Sequence, residues 1–149
     1  MRLTNTIKLY ALCKDVQQRE DIHQALKTAL GRDLKQVDYT TVKDDARIQH
    51  TYDPLYAITA RLYTQPEQRA FIKYLRETMP QQQKERLQET AQKHVDEHLN
   101  FFFRLDKEAF LNGECKHVLR GDVIQARINL CAHPKTPATV LKQARALLA

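Results

Sequence analysis

Lys8 and Tyr10, Thr59, Arg61 and Tyr63, Phe102 and Arg104, and Gln125, Arg127 and Asn129 share one pattern: each set occupies every second position of a segment whose intervening residues are largely apolar. Side chains of an extended chain alternate between two faces, so each set turns away from the apolar side. If the four segments pair as neighbours, the sets tile one surface with cations, amides and aromatic rings. Such a surface can hold RNA, through phosphate contacts, base stacking and hydrogen bonds to the 2′-hydroxyl. On residue types alone the plainer reading, that these are solvated or dimer-facing strand residues, is the stronger of the two.

Other reactive residues converge less well. Cys115-Lys116-His117 and Cys131-Ala132-His133 are two CxH pairs with the composition of a zinc site. A hairpin turning at Arg120-Gly121-Asp122 would leave the pairs roughly 13 Å apart, too far for one ion. His94 and His98 have helical metal-clamp spacing without a third ligand or the glutamate of a HExxH site. His50 and Asp53 precede Pro54 in a polar stretch with no nucleophile motif beside them, and the chain contains no serine. Only Gly31, Gly113 and Gly121 are glycines, so no phosphate-cradling loop of the P-loop or dinucleotide-binding type is present. The expectation is a protein without catalysis, metal or cofactor.

Composition agrees with a polyanion partner. The 149 residues carry 24 Lys+Arg against 18 Asp+Glu, net +6. Residues 1–60 hold 9 basic and 8 acidic side chains, whereas residues 61–149 hold 15 and 10, so the surplus belongs to the second part. Each phosphate that such a surface neutralises releases a counterion. The length suits a single domain spanning 1–149 that needs no disulfide or metal staple. Cys13, Cys115 and Cys131 form no CxxC pair, which fits free thiols in a reducing compartment. With no membrane-length apolar run, a cytoplasmic protein with no membrane partner is expected.

The elements that would position the outward residues can be read from periodicity. Ile7 to Cys13 alternates as a first strand. Asp15 and Gln18 have N-cap spacing ahead of Ile22, Ala25, Leu26, Ala29 and Leu30, a helical stripe closed by Gly31. Val37–Val42 reads as a weak strand, 43–47 as a polar loop, and Leu55–Tyr63 as a strand with Tyr56, Ile58, Ala60 and Leu62 inward. Thr64 and Glu67 cap a helix containing Phe71 and Leu75, and a mostly solvated helix is expected over Gln81–Glu97. Four of the five phenylalanines fall at Phe101, Phe102, Phe103 and Phe110, which marks a buried strand running toward Gly113. Glu114–Leu119 and Val123–Cys131 then form the hairpin, and Val140, Leu141, Ala144, Leu147 and Leu148 a last helix. The order β-α-β-β-α-α-β-β-β-α describes an α+β fold of two layers, a largely antiparallel sheet with helices on one face.

Leu99-Asn100-Phe101-Phe102-Phe103-Arg104-Leu105-Asp106-Lys107-Glu108-Ala109-Phe110, followed by Gly113-Glu114 and Gly121-Asp122-Val123-Ile124-Gln125-Ala126-Arg127-Ile128, resembles the archaeal family of RNA-binding, predicted exosome-subunit proteins. That family's pattern runs close to "RLDKQAA…GE…GDDVIRVRIKV.AYP", and the match follows the element order along nearly the whole chain. The resemblance implies a fold akin to double-stranded-RNA-binding and 5S-rRNA-binding ribosomal proteins. It also implies a non-enzymatic, RNA-related role and a link to the RNA-degrading exosome. Arg104, Leu105, Asp106, Lys107 and Gly113 match the family motif. Glu108 departs from its usual Gln, and His50-Thr51-Tyr52-Asp53-Pro54 from its His-Gly-Asn-Pro turn.

Together these readings give a domain that binds structured or ribosomal RNA. Arg104, Lys107, Arg61, Arg127, Lys8 and Tyr63 are the expected contacts, and exosome components are further partners. Arg104 and Asp106 pair with each other or across strands instead if their role is to stabilise the fold. The alternative is a protein-interaction or homodimerisation module whose outward strand face meets another protein.

Overall fold

Alternating apolar side chains build one sheet. The structure, a computed structural model, describes residues 2–42 and 55–149. The polar loop expected at 43–47, together with His50 and Asp53, lies outside the described residues. Six antiparallel strands, β1 (Thr4–Cys13), β2 (Val37–Val42), β3 (Leu55–Leu62), β4 (Asn100–Asp106), β5 (His117–Val118) and β6 (Val123–Leu130), stand in the order β2-β3-β1-β6-β4-β5. Ile7, Leu9 and Ala11 of β1, Ile58, Ala60 and Leu62 of β3, Phe101, Phe103 and Leu105 of β4, and Ile124, Ala126 and Ile128 of β6 are buried on one face. Each pairs across the ladder with another of the set, as a period of two requires.

Helices α1 (Val16–Leu30), α2 (Gln65–Thr78), α3 (Gln81–Glu89) and α5 (Pro137–Leu147) cover that face, joining Ile22, Leu26, Phe71, Leu75, Leu87 and Ala144 to the same core. Their ends follow the sequence cues. Asp15 accepts from the Gln18 amide (2.7 Å) to start α1, and Gly31 closes it at φ 67°, a conformation that a side chain would strain. Thr64 caps α2, and Thr136 caps α5 with Pro137 behind it. Arg76 donates to the carbonyls of Leu147 (2.7 Å) and Ala146 (2.8 Å), tying α2 to the negative end of α5. Buried Gln68 has every polar atom engaged. It accepts from the Thr4 hydroxyl (2.5 Å) and donates to the carbonyls of Asn5 (2.9 Å) and Leu62 (3.0 Å), so α2 is stapled to both β1 and β3.

Three expectations are corrected. The segments around Arg120–Asp122 form no hairpin: β5 pairs with the outer side of β4, while β6 inserts between β4 and β1. The strand pairing therefore supplies no hairpin from which to measure the two CxH pairs, and Cys115 is buried, its thiol pushed up to about 11 by desolvation despite a hydrogen bond with Thr78. The helix expected over Gln81–Glu97 stops at Glu89 and gives way to a 3-10 turn over Ala91–Lys93. Asp96 then ends helical geometry: its carboxylate accepts from the amides of His98 (2.9 Å) and Asn100 (2.9 Å), and Leu99 turns the chain at φ 65° into β4. Finally, the Phe-rich strand ends at Asp106, whose carboxylate accepts from Ala109 N (2.9 Å) and caps a short helix, α4 (Lys107–Leu111).

That helix carries Lys107 inward. The residue is 3% exposed. Its ammonium donates to the Leu12 carbonyl and to Gln18 Oε1 (3.3 Å), and pairs with Asp122 (2.6 Å). Four pieces of chain thus meet at one nitrogen: the end of β1, the start of α1, the start of α4 and the turn before β6. Lys107→Ala leaves the Leu12 carbonyl and the Gln18 amide oxygen without this donor, and should lower the unfolding free energy by about 1–3 kcal/mol. Urea denaturation of the two proteins checks this, and an unchanged midpoint would contradict the assignment.

Candidate nucleic-acid interface

The opposite face of the sheet bears no helix among the described residues. Strand register there lines side chains into transverse rows, because residues directly opposite on neighbouring strands point the same way. One row runs Arg61, Lys8, Arg127, Phe102 across β3, β1, β6 and β4. The next runs Asp38, Thr59, Tyr10, Gln125, Arg104, Val118 from β2 to β5. At ~4.8 Å between strands, the first row places three cations and an aromatic ring within about 14 Å.

Arg61 forms a salt bridge with Asp38, which sits diagonally from it in the second row. Lys8 and Arg127 have no ion-pair partner among the described residues. The ammonium of Lys8 is held below its ordinary value, first by desolvation and then by the charges of Arg127 and Arg61. The register therefore holds like charges side by side, which costs the free protein some stability. Beyond the row, Asn129 donates to Asn100 Oδ1 (3.0 Å) and to the His98 carbonyl (3.1 Å), and accepts from Asn5 (2.9 Å). These amides fasten strand ends to one another.

Of the six expected contacts, Arg61, Lys8, Arg127 and Arg104 are brought together on this face. Tyr63 follows the end of β3 and is 52% exposed. Lys107 is not on the face, because Asp106 turns the chain into α4 and its ammonium is consumed inside the fold. Arg104 does not pair with Asp106: its Nη1 donates to the Leu119 carbonyl (2.5 Å), while Asp106 caps α4. Thr59 lies on the face but is buried.

Sequence reasoning missed the outer edge of β4. The Phe102 amide donates to the His94 carbonyl (2.7 Å), and Val95 bridges Phe101, while β5 pairs with Arg104 and Leu105 farther along. Between these two covering pieces a cleft of about 380 Å³ opens beside Phe102, Arg104 and Gln125. His94 and His117 both line it, and their rings meet edge to face, 5.8 Å apart. The available signal was the Asp96-to-Asn100 spacing, which stops the preceding helix and brings His94 back along the strand.

The fold is thus of the α+β class, an antiparallel sheet with one helix-covered face and one face on which, among the described residues, Lys8 and Arg127 stand in a cationic row without ion-pair partners. The chain belongs to the family described as RNA binding, whose model matches residues 6–130. It is similar to RNA-binding protein PAB1135 of Pyrococcus abyssi, 25% identical over 143 residues that cover 95% of this chain and 91% of that protein. Among solved structures, protein AF2318 from Archaeoglobus fulgidus shares the fold with a TM-score of 0.78 at 23% identity, covering 97% of this chain and 99% of that one. Mth689 from Methanothermobacter thermautotrophicus does so with a TM-score of 0.73 at 19% identity, with 99% of each chain covered. The family is described by binding rather than by a catalysed reaction, and RNA is the partner class that membership supports.

The cleft histidine also links pH to stability. Burial, and then the charges of His94 and Arg86, hold the His117 imidazole below its ordinary 6.5. Well above that value the ring is neutral in both folded and unfolded chains and contributes no pH dependence. As pH falls below 6.5, the unfolded chain takes up the proton first, so stability is lost until pH reaches the lower folded value. Unfolding free energy should therefore decline as pH falls through 6.5, and decline less in His117→Gln. Equal slopes for the two proteins would contradict the assignment.

Proposed function

We propose that this protein binds structured RNA without catalysis, through the open face of its sheet. The row of Lys8 and Arg127 beside Arg61, the first two without ion-pair partners among the described residues, is the observation that carries this reading. It asks for an anion with repeating charges, and a sugar-phosphate backbone crossing the strands supplies them. Arg104 extends the charge into the second row, while Phe102 and Tyr63 offer rings to bases. Single-stranded and folded RNA both present such backbones. The breadth of the face, several strands wide, favours a folded RNA surface over a narrow single-strand channel. An accessory role in exosome-type RNA processing is the cellular setting we propose on the strength of the family resemblance. There the protein would hold RNA and another component would cut it.

Homodimerisation through the same face is the competing reading, and exposed Leu12, Tyr63 and Phe102 are its best support. A two-fold dimer on this face would bring the cationic row close to its own copy, which like charge opposes.

Fluorescence anisotropy with a labelled stem-loop RNA at several salt concentrations tests the proposal. Affinity should fall steeply with salt. Arg127→Gln and Arg104→Gln should each reduce the slope of log affinity against log salt by about one lost phosphate contact, while Lys73→Gln on the helical layer should not. A protein that ignores RNA at low salt and elutes as a dimer would overturn the proposal in favour of the interaction module.

A further inference from the structure

Resting on that RNA-binding reading, we infer that the cleft at the outer edge of β4 receives one unstacked nucleobase of the RNA whose phosphates lie along Lys8 and Arg127. The geometry follows from the row itself. Phe102 is its fourth member, one strand spacing beyond Arg127, so a backbone held on the cations arrives at the cleft mouth.

The walls suit a base better than a phosphate or a free ion. Phe102, on the same face as the cations, is 41% exposed, and Leu119, which also lines the cleft, is 72% exposed, so apolar surface stands open there. A base is a flat ring with a polar edge, and stacking on a phenylalanine tolerates any of them. Polar groups flank that ring. Arg104 commits one of its five guanidinium donors to Leu119, which fixes the planar group beside Phe102. Gln125, directly across from Arg104, is exposed, and its side-chain amide has no hydrogen-bond partner among the described residues. An amide and a guanidinium side by side can donate to and accept from a Watson–Crick edge. His117 also lines the cleft and is disposed to the neutral form, so it adds no second positive charge there.

The cleft also has a reason to be permanent. Its two sides are pinned separately to β4, at Phe102 through the His94 carbonyl and at Arg104 through β5. The Gln83 side chain further holds β5 by accepting from the His117 amide (2.7 Å). The site is therefore built into the edge of the sheet and needs no rearrangement to open. It predicts a preference for RNA with a base already out of the stack, at a bulge, loop or junction, over an uninterrupted duplex.

Two RNAs with the same stem, one a blunt duplex and one carrying a single-uridine bulge, separate the outcomes. The bulged RNA should bind about tenfold tighter to the full-length protein. Gln125→Ala should erase most of that difference while leaving affinity for the blunt duplex and its salt dependence unchanged, and Phe102→Ala should erase it as well. Both residues are exposed, so neither substitution threatens folding. A second readout uses 4-thiouridine at the bulge: irradiation should attach it to peptides containing Phe102, His94 or His117. Equal affinity for the two RNAs, a preference that survives Phe102→Ala, or attachment elsewhere would overturn the base-binding cleft. Salt-dependent binding of both RNAs with no preference would do so while leaving the sheet-face proposal standing. Failure to bind either RNA would remove both.

Discussion

Antiparallel register forces Arg61, Lys8 and Arg127 to stand next to one another, and this crowding of like charge is the constraint around which the open face is arranged. Among the described residues only Arg61 has an acidic ion-pair partner, Asp38, supplied by the sheet's outermost strand. The cost to Lys8 and Arg127 is modest on a wet face, but it is carried by every free molecule. A fold that needed these positions only for solubility would interleave signs, as surface strands commonly do. Among the described residues no other acidic group pairs with the row, and RNA, the partner class that family membership supports, carries charge of the opposite sign.

The other layer makes the crowding tolerable. Helices α1, α2, α3 and α5 bury the apolar face of the central strands, so the register that aligns the cations is enforced by the core rather than by the cations themselves. A slip by one residue would turn Ile7, Leu9 and Ala11 to solvent. Buried polar residues lock the same arrangement. Gln68 fastens α2 to β1 and β3, and Lys107 gathers the end of β1 with the starts of α1 and α4. One lysine is therefore spent on architecture so that others can be presented at the surface.

Much of this was legible in the sequence because alternation is a local signal. The inward and outward sets of β1, β3, β4 and β6 follow directly from spacing, as do the caps at Asp15 and Thr64. What was not legible depended on partners distant in the chain. Val123–Leu130 reads as a strand, but nothing within it says that it pairs with β1 and β4 instead of with the segment just before it. Lys107 looked like a surface cation following a strand until Asp106 was seen to cap a helix. The cleft escaped notice for a related reason, since His94 and His117 meet only because two unrelated segments share the edge of β4. The family resemblance indicated the binding class, whereas the particular surface required the register.

Removing the charge of Lys8 alone tests the account at its centre, since stability and RNA affinity must then move in opposite directions. In Lys8→Gln the unfolding free energy at low salt should rise by a few tenths of a kcal/mol, with the gain fading as salt screens the row. The same substitution should weaken binding of a structured RNA several-fold. A variant that is less stable at low salt, or that binds RNA as tightly as the parent, would contradict the claim that the row is held under repulsion for an anionic partner.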